Sequence, residues 1–71
     1  MKAPTKQQLR VLAWIKKFME SRGYAPSVRE ISAAFEIAPT SAISHLIALR
    51  AKGVIQYGNK ARAIVINPEW R

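Results

Sequence analysis

Two apolar runs of helical period meet across only three or four residues in the stretch from Arg29 to Ile55, "REISAAFEIAPTSAISHLIALRAKGVI", and few folds accept such a pair. The first run carries Val28, Ile31, Ala34 and Phe35 on one side, with Arg29 and Glu30 left to solvent or, for Arg29, to a phosphate. It opens at Ser27 with Glu30 three residues on, a capping box, so a short helix is predicted over 28–35. The second run opens on Pro39, harmless at a first helical position, and stops at Gly53, which predicts a helix over 39–52. A link as short as "EIAP" makes the pair a helix-turn-helix.

The flanks fill in the rest of the fold. Thr5 and Gln8 form another capping box, and Val11, Leu12, Trp14, Ile15, Phe18 and Met19 follow on one helical face. A first helix is therefore predicted over 6–21, with Lys6, Arg10 and Lys17 on its far side and Gly23 as its stop. Beyond Gly53, "VIQY" and "RAIVIN" are rich in β-branched residues and read as two strands, with Gly58-Asn59 as a two-residue turn. Lys60 and Arg62 then sit at or near the tip of the hairpin. Pro68 takes the tail, 67–71, out of the sheet, and Trp70 either folds back on the core or meets another chain. The expected fold class is mainly α with a small β-hairpin, one domain over residues 1–71.

At 71 residues the core is small, and with no cysteine it must be held by packing alone, without disulfides or thiolate metal sites. A reducing cytoplasm is the expected compartment, near the nucleoid; no stretch has the length and apolar character of a membrane span or a secretory leader. Twelve Lys+Arg against four Asp+Glu give a net charge of +8 on a chain that is 49% hydrophobic, hence folded and cationic, with a polyanion as the natural partner. Catalysis is excluded on inventory, because one histidine, scattered carboxylates and no glycine-rich phosphate loop supply neither an acid–base pair nor a nucleophile with its base. No metal or other cofactor is expected, since His45 has no second ligand nearby; its expected role is structural at the helix margin, or a contact to a DNA backbone.

Steps of about 100° along 39–52 bring Ala42, Leu46 and Leu49 together as the inward side, with His45 at its edge. Thr40, Ile43, Ser44 and Ile47 point outward and carry no charge in a strongly basic chain. Short hydroxyl side chains at Thr40, Ser41 and Ser44 suit hydrogen bonding to base edges, and Ile43 offers an apolar surface to a thymine methyl group. Helix-start chemistry is the competing account of Thr40 and Ser41. It leaves Ile43 and Ile47 unexplained, and an exposed isoleucine pair marks a partner surface, either DNA or a second protein chain.

The segment "EISAAFEIAPTSAISHLIALRAKGVI" resembles the winged helix-turn-helix of bacterial repressors of the MarR and LexA kinds, with Ile31, Ile37, Ser41, His45, Leu46, Leu49, Lys52, Gly53 and Ile55 at matching places. "TKQQLRVLAWIKKFMESRGYAPSVREIS" and "ARAIVI" are similar to the LexA DNA-binding domain in particular, and the likeness covers about residues 3 to 66. The resemblance implies a three-helix winged helix-turn-helix with a recognition helix at 39–52, a supporting helix at 28–35 and a wing at 54–66. It implies base-reading positions at Ala38, Thr40, Ser41, Ile43 and Ser44, with Lys52 near the DNA backbone and Lys60 and Arg62 at the wing.

The sequence departs from that pattern at two positions. Glu36 stands where glycine is common, so either a left-handed backbone there costs about 1 kcal/mol or the turn differs. Ala38 takes the usual serine cap site, which forfeits roughly 1 kcal/mol, partly offset by Pro39. The chain is expected to end where a LexA-type repressor continues into its self-cleaving, dimer-forming domain, so no protease chemistry is expected of it. The expected function is a small sequence-specific regulator of double-stranded DNA, a repressor of the kind phages and mobile elements encode, acting through a weak homodimer or cooperative assembly on DNA. The alternative is a winged-helix adaptor for an acidic protein, which the cations along the first helix would suit.

Overall fold

The computed structural model describes residues 3–58 and 63–70. Three helices, α1 (Lys6–Arg22), α2 (Val28–Phe35) and α3 (Pro39–Ala51), precede an antiparallel hairpin of β1 (Ile55–Tyr57) and β2 (Ile64–Ile66), and a 3-10 turn over Pro68–Trp70 ends the described chain. The three helices and hairpin are those of a winged helix-turn-helix. The chain bends by 109° between α2 and α3, within the ~90–120° expected of a helix-turn-helix.

Both predicted capping boxes form. Gln8 N–H donates to Thr5 Oγ1 at 3.2 Å while Thr5 N–H donates to Gln8 Oε1 at 3.0 Å. Glu30 N–H donates to Ser27 Oγ at 3.2 Å, and Ser27 N–H donates to Glu30 Oε1 at 2.9 Å. Each box satisfies two backbone donors that a helix start leaves orphaned, so α1 and α2 begin where their own residues dictate. α1 runs one residue past its expected end because Gly23, at φ 78°, is the left-handed stop. α3 closes one residue early, at Ala51. There Gly53 N–H donates to Arg50 O and Val54 N–H to Leu49 O, a pairing that turns the chain sharply into β1.

The turn between α2 and α3 takes the left-handed alternative. Glu36 sits at φ 54°, ψ 44°, and Ile37 N–H donates to Ser32 O at 3.0 Å, so the motif keeps its usual geometry without glycine. Glu36→Gly should therefore raise the unfolding free energy by about 0.5–1 kcal/mol, read as a higher urea midpoint at unchanged slope.

The core gathers Val11, Leu12 and Ile15 of α1, Ile31 of α2, Ala42, Leu46 and Leu49 of α3, and Val54, Ile55, Ile64 and Ile66 of the hairpin. On α2 the expected inward set needs one correction: Ala34 is exposed and Ser32 is buried, at 8% exposure. Ser32 borders the Val28–Ile31–Phe35 sector of the helix, about 40° from Val28, and its hydroxyl donates to Arg29 O at 2.9 Å, which removes the cost of burying it. Outside the core, Trp14 meets Phe18 and Phe35 at centroid distances of 5.3 and 6.0 Å, and Phe18 meets Tyr24 at 5.6 Å, clamping α1 to α2.

The hairpin pairs Ile55 with Ile66, Gln56 with Val65 and Tyr57 with Ile64. Tyr57 pairs with Ile64 and Gly58 donates to Ala63 O at 3.3 Å, a register that the two-residue turn predicted at Gly58-Asn59 would not give; residues 59–62 lie outside the described residues. Asn67 closes the base of the hairpin, its N–H on Val54 O at 3.0 Å and its Nδ2 on Gly53 O at 2.6 Å. Trp70 is half-buried and packs against the core, the first of its two expected placements.

Candidate nucleic-acid interface

α3 divides into an inward side and three kinds of outer surface. Ala42, Leu46 and Leu49 are fully buried. Directly opposite stand Thr40, Ser44, Ile47 and Ala51, all exposed, with Ile47 at 44%. Successive steps of about 100° place Ile43 and Arg50 on one flank and Ser41, His45 and Lys52 on the other. The outward stripe holds hydroxyls, methyl groups and an isoleucine, so nothing long or charged blocks a close approach to a flat or grooved partner.

Each flank is fastened to a different part of the fold. Arg50 donates from Nη1 to Tyr57 O at 3.2 Å and lays its guanidinium 5.9 Å from the centre of the Tyr57 ring, joining α3 to β1. Lys52 donates from Nζ to Gln8 Oε1 at 2.6 Å, the same oxygen that accepts from Thr5 N–H. The end of α3 is thereby tied to the start of α1, with Lys52 half-buried between them.

The expected site residues fall as follows. Thr40, Ser41 and Ser44 are exposed on α3, and Ile43 is half-buried on the flank that carries Arg50. Ala38 is exposed at the N-cap and makes no side-chain cap bond, as its methyl group requires. Ser44 donates its hydroxyl hydrogen to Thr40 O at 3.0 Å. Arg29 is exposed in the first turn of α2, His45 is half-buried on the Lys52 flank, and Lys60 and Arg62 lie outside the described residues. Arg50 was not among the expected residues; its signal was its place in the last turn of α3, about 20° from Ile43 on the helical wheel.

Among the described residues no group of three or more His, Cys, Asp or Glu could hold a metal ion. No single helix among them is long and apolar enough to cross a membrane.

The model of the LexA DNA binding domain family matches residues 1–63. The LexA repressor of Thermotoga maritima is 49% identical over 72 residues, covering 100% of this chain and 36% of the repressor. The LexA repressor of Petrotoga mobilis is 43% identical over 70 residues, covering 97% and 34%, and that of Pseudothermotoga lettingae is 42% identical over 62 residues, covering 87% and 31%. The chain spans about a third of the length of these relatives.

Proposed function

The chain belongs to the LexA DNA-binding domain family, and on that premise we propose that it is a small sequence-specific regulator of double-stranded DNA, acting as a repressor. In this reading α3 enters the major groove and the hairpin reaches the neighbouring backbone or minor groove. One observation carries it: an outward α3 stripe without charge, on a chain of net charge +8. Such a division suits a partner that presents base edges in the middle and phosphates at the sides.

Ala38, Thr40, Ser41, Ile43 and Ser44 are the base-facing positions in this proposal, and Arg29, His45, Lys52, Lys60 and Arg62 serve the backbone or wing. Lys52 has the weakest claim on a phosphate, since its ammonium already serves Gln8. The module itself performs no chemistry. Specific binding takes two copies on half-sites about one helical turn apart, assembled cooperatively or through a weak dimer. A phage or mobile-element origin has no support among the relatives and forms no part of the proposal.

The test is selection of bound duplexes from a random pool at two salt concentrations. An enriched, two-fold symmetric motif is expected, and about five phosphate contacts per module give a log–log salt slope near −4.5. Lys60→Ala should weaken every duplex alike and flatten the slope by about one unit. Enrichment of nothing would end the proposal. A protein-binding adaptor remains the second reading because Lys6, Arg10 and Lys17 form an exposed cationic line on α1, a different helix from the one that carries the uncharged stripe.

A further inference from the structure

Ser44 occupies the middle of the outward stripe, and its one hydrogen is committed to Thr40 O at 3.0 Å. A hydroxyl bonded back to the helix in this way presents only lone pairs to whatever approaches. Ile47, three residues on and 44% exposed, is its neighbour on the helix surface, with side-chain roots about 5–6 Å apart. The other outward residues, Thr40 and Ala51, and half-buried Ala48 beside them hold no carboxamide, carboxylate or guanidinium.

We propose that Ser44 and Ile47 together read a single A·T pair, the Ser44 oxygen accepting from the adenine N6 amino group and Ile47 covering the methyl group of the paired thymine. This rests on α3 being the groove-reading helix. Only adenine N6 and cytosine N4 donate into the major groove, whereas guanine N7 and O6 and thymine O4 all accept. Guanine or thymine opposite Ser44 sets lone pair against lone pair. Cytosine supplies the donor, but its guanine partner brings no methyl group for Ile47 and leaves desolvated acceptors against an apolar side chain. The A·T pair alone offers both a donor and a methyl group on its major-groove edge, one on either side of thymine O4.

The experiment uses the duplex enriched in the selection above, with each adenine of a half-site replaced in turn by purine, which lacks N6, and each thymine by uracil, which lacks the methyl group. At one pair, purine should weaken the wild-type protein about fivefold and leave Ser44→Ala unaffected, because one neutral hydrogen bond is worth about that factor. Uracil at its partner should cost about threefold for the wild type and nothing for Ile47→Ala, the value of about one buried methyl group. Both variants change exposed side chains, and their thermal melting checks that they fold. The pairing is overturned if no adenine shows the effect, if Ser44→Ala keeps the full purine penalty, or if the sensitive atom is guanine N7, revealed by 7-deazaguanine. A selection that enriches no duplex removes the groove placement itself, and a motif enriched without these signatures removes only the pairing.

Discussion

Replacing Leu46 with alanine should cost about 3–4 kcal/mol of folding free energy and move the urea midpoint down by roughly 2–3 M. Leu46 is fully buried, on the inward side of α3, in the cluster that includes Val11, Ile15, Ile31 and the hairpin isoleucines. Removing its outer carbons forfeits their transfer free energy and leaves a cavity that three helices and a hairpin must collapse around. A chain of 71 residues has only about 4–10 kcal/mol in total, so the variant sits at the edge of unfolding. Its DNA binding should fall with its folded fraction and recover as duplex is added, because ligand binds the folded form alone. Leu46→Met conserves volume and should cost less than about 1.5 kcal/mol. A loss below 1 kcal/mol for the alanine variant would mean that α3 does not rest on this core.

The contrast between the two helix-turn-helix elements explains which features were legible in sequence. α2 has the bounds its residues predict, because Ser27 and Glu30 close a capping box within one turn and no distant partner is needed. The Pro39 start of α3 and the Gly23 stop of α1 are local in the same sense. Residue type misled where position on the helix decided. Ser32 is buried because it borders the inward sector and can bond to Arg29 O, while the apolar Ala34 points away.

The features that sequence left undetermined are those joining distant positions. Lys52 meets Gln8 across 44 residues, and no period or spacing announces that the α1 capping glutamine also receives the end of α3. Arg50 finds Tyr57 only once the sharp turn at Gly53 has brought β1 alongside α3. The hairpin register is non-local too: the Tyr57–Ile64 pairing, with Gly58 N–H on Ala63 O beyond it, is not the one that a two-residue turn at the glycine–asparagine pair would give. For the α3 surface, the 100° wheel locates the outward stripe from sequence, but the direction of the Ser44 hydrogen bond is set by the folded helix.

Ile47→Glu should weaken duplex binding at least about 50-fold, roughly 2.3 kcal/mol, while changing folding stability by no more than about 0.5 kcal/mol. Ile47 is exposed, so the core loses nothing, and a carboxylate is tolerated by the isolated helix. In a groove lined by phosphates the same carboxylate meets like charge at close range and must shed water without a partner, a juxtaposition that costs several kcal/mol. Ala13→Glu is the matched control. It adds the same charge at an exposed site on α1, three residues after Arg10 and four before Lys17, where it should stabilise the helix slightly. If α3 is the groove helix, the α1 acid acts only through net charge across a screened distance and should lower DNA affinity by no more than a few-fold. If the cationic line of α1 instead holds an acidic protein, the order reverses: Ala13→Glu abolishes that partner's binding and Ile47→Glu spares it. The pair of variants therefore separates the two readings by which of them loses its ligand, duplex or acidic protein, with melting curves to show that both proteins are folded.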